Sequence, residues 1–137
     1  MSVRIKPSSP AGQFLMAHGV AESVLNAATF RVLNWQTGDA VTAMLPFGKA
    51  AIFVKSKYLQ PDANGNLPID RKLPLLRHEL FHVQQGFDWG FVVYWVRQLW
   101  ARIRYMSITA PNSPVETPAY DAQRAVHAAM DQRGIPR

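Results

Sequence analysis

The chain has 137 residues, 48% of them hydrophobic, and its 15 Lys and Arg outweigh 9 Asp and Glu to give a net charge of +6. That length and apolar content suit one packed domain, and the absence of cysteine excludes disulfides, thiolate nucleophiles and Cys-ligated metal together. Any metal must therefore be held by His, Asp or Glu. A basic balance raises the question of an anionic partner, although a solvated basic helix face is its commoner origin.

The opening MSVRIKPSSPAGQ has no apolar core of signal-peptide length, so a cytoplasmic location is the default expectation, and export by a dedicated machine would leave the same pattern. Residues 1–12 are expected to be poorly ordered. Over 13–28 the apolar residues Phe14, Ala17, Ala21, Val24, Leu25 and Ala28 recur near a 3.6-residue period, which predicts one helix despite Gly12 and Gly19. From Thr29 the character changes to β-branched and aromatic residues with turn candidates at Thr37-Gly38-Asp39 and Pro46-Phe47-Gly48. This reads as a three-stranded antiparallel meander with strands 29–36, 40–45 and 51–59. A loop follows over 61–66, and Asp70 is placed to cap a helix over 71–85 that Gly86 would stop. Next, Trp89, Val92, Val96, Leu99, Ile103 and Met106 form a three-four stripe widened by Phe91, Trp95 and Trp100. The segment carries Arg97, Arg102 and Arg104, too much charge over too short a span to cross a bilayer. A proline-containing loop leads to a last helix over 114–132, closed by Gly134 and Pro136.

The chemistry is concentrated in the 71–85 helix, where Arg77-His78-Glu79-Leu80-Phe81-His82-Val83-Gln84-Gln85 contains HExxH. Two histidines four apart project from one helix face and reach a single ion, while the glutamate between them leans towards that ion without ligating it. Zinc brings the pKa of a bound water to about 7, and an adjacent carboxylate can take the proton as that water attacks a carbonyl. Glu79 fits that role. The four-letter pattern recurs by chance across any proteome, so its context matters: it falls on a helix with a cap before it and a glycine after it. Paired histidines at helical spacing without metal are the bland alternative.

HExxH supplies two ligands and catalytic zinc usually has three, so a third is sought downstream. Asp88 would have to fold straight back from the helix end. Glu116 opens the final helix after an intervening helix has returned the chain, and His127 in that helix competes with it. Ser113-Pro114-Val115-Glu116 also reads as a capping box, which gives Glu116 a purely structural alternative.

The order of strands, Ile52-Phe53-Val54-Lys55, HExxHVxQQ, an aromatic basic helix and Glu116-Thr117-Pro118-Ala119-Tyr120 resembles the short bacterial zincin-like metallopeptidases of the HExxH-plus-Glu type, akin to the DUF4157 group. The similarity covers residues 30–129. It implies an α+β zincin-like fold, a small antiparallel sheet with the HExxH helix and two further C-terminal helices. It also implies zinc held by His78, His82 and Glu116, with Glu79 as general base and strand 51–59 as the edge along which a peptide or protein substrate lies. Many of the wider group carry aspartate four residues after the third ligand; here that place is Tyr120, with Asp121 next. Tyr120 could donate to a developing oxyanion or to Glu116, and a core tyrosine with a satisfied hydroxyl is an equal alternative. Two other readings remain open: a non-catalytic zinc staple in an interaction module, and a membrane-surface or nucleic-acid binder acting through 89–105, nucleic acid being the less expected partner.

Overall fold

The computed structural model describes residues 2–34, 39–63, 65–70, 72–105 and 116–134. Among them the chain is α+β, with a mixed four-stranded sheet and five α-helices in the order β1 (Ser2–Val3), α1 (Pro10–Ala17), α2 (Glu22–Ala27), β2 (Ala28–Val32), β3 (Ala40–Leu45), β4 (Lys49–Val54), α3 (Leu73–Trp89), α4 (Phe91–Tyr105) and α5 (Thr117–Gln132).

The expected single helix over 13–28 is two. Ser9 caps α1 by accepting from the Gly12 amide at 3.1 Å, with Pro10 in its first turn, so the helix starts earlier than the apolar period suggests. Gly19, at φ +96°, ends it in a conformation that side chains disfavour. The chain re-enters helix at Glu22 and passes into β2 at Ala28. Residues 2–12, expected to lack order, contribute β1 and the buried Val3 and Ile5. Their alternation places two apolar side chains on the core side of the sheet edge.

The sheet is not an antiparallel meander. Its order is β1-β2-β4-β3, and β2 runs parallel to β4 with Phe30 opposite Ile52 and Val32 opposite Val54. Burial explains the arrangement: β4 buries Ala50, Ala51, Ile52 and Val54, a near-continuous apolar run that belongs in a central strand. β3 buries only Thr42 and Met44 and takes the edge, joined to β4 by the 46–48 turn. The predicted strand 51–59 therefore ends at Val54, continues as a short turn of 3₁₀ helix over Ser56–Tyr58, and is not an edge.

On one face of this sheet lies α3, which buries Leu73, Leu76, Leu80 and Val83. Asp70 supports the lead-in turn, its carboxylate accepting from the Lys72 amide at 2.9 Å. Gly86 does not stop the helix, which runs on to Gly90 at φ +83°. Gly86 instead admits the edge strand, because a Cβ there would overlap the Met44 side chain at Sδ. α5 packs along α3 through Ala119, Val126 and Met130. α4 is held to the free edge of β3 by side chains, with Trp95 Nε1 donating to the Met44 carbonyl at 3.1 Å and the Tyr94 hydroxyl 3.5 Å from the Thr42 carbonyl. Its apolar stripe is not in the core: Val92, Val96, Leu99 and Ile103 are 60–69% exposed, and the buried face is Tyr94 and Gln98. Met106 lies outside the described residues.

The Gly86–Met44 contact is testable. Gly86→Ala should gain up to about 1 kcal/mol of helix propensity but lose about 1–3 kcal/mol to overpacking, a net destabilisation in urea unfolding. Combined with Met44→Ala the loss should fall well short of the sum of the two, whereas additive losses would show that the two side chains do not compete for that space.

Candidate metal centre

Helical spacing brings His78 and His82 to the side of α3 that faces α5, and Glu116 arrives at the residue preceding α5. His78 Nε2 lies 2.8 Å from Glu116 Oε2 and His82 Nε2 lies 3.0 Å from Oε1, so each carboxylate oxygen faces one imidazole. Glu116 makes no side-chain cap, and Ser113 lies outside the described residues, so the capping role of this glutamate is not seen. With Glu79, the three residues are only 3–5% exposed. Among the described residues His78, His82 and Glu116 are the one group of three whose ligand atoms lie within 4.8 Å of one another. The alternative ligands lie elsewhere: Asp88 is exposed and accepts from Gln84 at 2.9 Å, and His127 takes no part in the cluster.

The far nitrogens of both rings are also held. Nδ1 of His78 faces Gln123 Oε1 at 3.0 Å, and Nδ1 of His82 faces Gln85 Oε1 at 2.8 Å. An amide oxygen only accepts, so Nδ1 carries the proton and, in a neutral ring, Nε2 is left with a lone pair aimed at a carboxylate. Two lone pairs and an anion in a buried space repel unless something positive lies between them. A proton on an imidazole meets that need, and so does a divalent cation. Two imidazole nitrogens and a carboxylate are a donor set that zinc accepts, with positions left over for other ligands. These residues therefore fit a metal.

Titration follows from the same packing. Burial alone would raise the Glu116 carboxyl, but hydrogen bonds from His78 and His82, backed by their charge, hold its pKa at about 2. Burial pushes the His82 imidazole down, and the hydrogen bond to Glu116 with the charges of Glu79 and Glu116 more than reverses this, so it titrates above its ordinary value.

Glu79 lies beside the cluster. The Thr42 hydroxyl is 2.6 Å from Glu79 Oε2 and 3.2 Å from the Glu79 carbonyl, so its proton goes to the nearer carboxylate oxygen. Tyr120 packs its ring edge-on against His78, with centroids 4.4 Å apart. Its hydroxyl is pushed up first by burial and then by the negative charges of Glu116 and Glu79, so it keeps its proton at neutral pH. Asp121 points away and pairs with Arg124. His78, Glu79, His82, Glu116, Tyr120 and Thr42, with Trp95 and Gln98, border a cleft of about 440 Å³.

Three contributors were not anticipated from the sequence. Gln85 sits three residues after His82, a helical neighbour whose role the spacing alone could have raised. Gln123 lies seven residues after Glu116, two turns along the same face of α5. Thr42 carries no local signal, since its meeting with Glu79 depends on where β3 falls in the sheet. Comparison with known proteins adds no relative: no family model, curated protein or solved structure matches the chain at a significant level.

The metal-free protein should show the linkage in its thermal unfolding. His82, with a raised folded pKa, contributes stability that is full below its unfolded value near 6.5 and is lost as pH rises through the folded value. Glu116, with a depressed one, contributes stability that is full above its unfolded value near 4.5 and is lost as pH falls towards 2. Stability should thus peak between those unfolded values, and Glu116→Gln should flatten the profile on both sides. A profile unaltered by Glu116→Gln would show that the pairing does not contribute.

Proposed function

We propose that the chain is a zinc-dependent metallopeptidase of the zincin-like type, in which His78, His82 and Glu116 hold the metal and Glu79 is the general base. The observation that carries this reading is a buried two-imidazole, one-carboxylate donor set that opens on a cleft with a second, separately anchored carboxylate at its side. The motifs that carry the resemblance to the HExxH-plus-Glu peptidases include the same four residues.

Zinc in such a set would acidify a coordinated water and polarise a substrate carbonyl. The remaining work falls to this chain's side chains. Gln85 and Gln123 fix the imidazole tautomers that leave both Nε2 atoms free to ligate. Glu79, held through Oε2 by Thr42, takes a proton on Oε1 during attack and can return it to the departing amine. Tyr120, kept protonated, is placed to donate to the carbonyl oxygen as negative charge grows there. An extended peptide would pair with β3, the edge strand on the cleft, rather than with β4. Tyr94 and Trp95 already engage the Thr42 and Met44 carbonyls, which leaves the Ala40 end of that edge for substrate.

The zinc staple reading draws on the same contacts, since His78, His82 and Glu116 join α3 to α5. A purely structural ion has no use for Glu79 or for an open side, so those two features favour the enzyme.

Purified protein should bind about one zinc per chain through a three-residue set, and Glu79→Gln should keep both the fold and the zinc. Digestion of an unbiased peptide library should fall by about 10²–10⁴-fold in that variant, because Gln keeps the shape of Glu but cannot take the proton. Equal cleavage by both proteins would remove Glu79 from the mechanism, and no cleavage by the zinc-replete wild type would favour the staple.

A further inference from the structure

α4 is attached by one narrow face. Among its described side chains only Tyr94 and Gln98 are buried, while Val92, Val96, Leu99, Trp100 and Ile103 are 60–69% exposed. This is a continuous apolar arc along a helix about 22 Å long, wider than an isolated surface leucine or valine would account for. A second apolar group stands near it. Phe47, at the tip of the β3–β4 hairpin, is 98% exposed and holds φ +65°, a backbone that β-carbon residues avoid. The Trp95 bond to the Met44 carbonyl sets the hairpin end, with Leu45 42% exposed, beside the apolar helix.

The charge on these elements is of one sign. The helix contains Arg97, Arg102 and Arg104, the hairpin carries the exposed Lys49, and no acidic residue occurs between Asp88 and Glu116. Arg97 lies over the Trp89 ring at 4.3 Å, at the flank of the arc. Apolar and tryptophan side chains outward, with cations alongside, are what an interfacial helix offers to anionic headgroups and the acyl chains beneath them. A second copy of the chain would set like charges against each other. A nucleic acid would need the basic groups at the centre of the face, where valine, leucine and isoleucine stand instead. No helix among the described residues is long and apolar enough to cross a membrane, so the mode is adsorption in the interface plane.

We propose that the exposed face of α4, together with the Phe47 hairpin tip, docks this protein on an anionic lipid surface. Trp95 and Gln98 border the metal cleft, so docking would hold that cleft close to the membrane. The inference stands independently of the catalytic reading, because none of the docking residues ligates the metal or moves a proton.

The test is flotation of the full chain with vesicles of phosphatidylcholine and phosphatidylglycerol, and with phosphatidylcholine alone. The protein should float with the anionic vesicles only, with a blue shift of tryptophan emission, and should be released by salt. Leu99→Glu should weaken binding about tenfold or more and Arg97→Gln about fivefold. Phe47→Ser provides a separate variant in a turn outside the core and should also weaken it. Circular dichroism checks that each variant is folded. The proposal is overturned if wild-type protein binds no vesicle at low salt, or binds neutral and anionic vesicles equally. It is likewise overturned if it forms a dimer that Leu99→Glu disperses while ignoring lipid, or binds a DNA duplex in preference to vesicles.

Discussion

Everything at the centre of this molecule is arranged around two imidazole nitrogens that face the two oxygens of one buried carboxylate. Such a cluster is costly inside a protein unless each group finds a partner of opposite character, and here the partners come from different parts of the chain. His78 and His82 come from α3 and Glu116 from the start of α5. Truncating any one would leave the others buried without their counterpart. The two glutamines extend the constraint outward by occupying the far ring nitrogens, so the ring orientations follow from neutral hydrogen bonds. The site is therefore preorganised, whether a proton or a metal ion sits at its centre.

The sheet serves this cluster by placing one strand. β3 reaches α3 because Gly86 leaves room for Met44, and Thr42, two residues along the same face, then meets Glu79. Packing at the edge and positioning of the Glu79 carboxylate are thus one event. α4 closes the outer side of β3 with two side-chain contacts, which also covers part of an edge that would otherwise invite pairing. Its own outer face remains apolar, so the element that shields one exposed surface creates another.

The parts of this arrangement that could be read from the sequence are those governed by local periodicity. An i, i+4 histidine pair on a helix follows from 3.6 residues per turn, and Glu116 could be nominated because an intervening helix returns the chain. Strand order was not legible, because β4 takes the central place by having the longest apolar run, a comparison among strands that no short segment contains. Gly86 read as a stop signal because helix-ending and close-packing glycines look alike in one dimension. Gln123 carries no local sign of its contact, since an amide is equally at home in water or against an imidazole. The α4 stripe showed amphipathicity plainly, but periodicity gives the direction of an apolar face and not what covers it.

Whether His78, His82 and Glu116 form an open metal site is read from X-ray absorption at the zinc edge of the zinc-loaded full chain. Two imidazoles should stand among four or five N and O neighbours at about 2.0–2.2 Å, with one imidazole lost in His82→Ala. A spectrum without imidazole scattering, or one unchanged in His82→Ala, would contradict such a site.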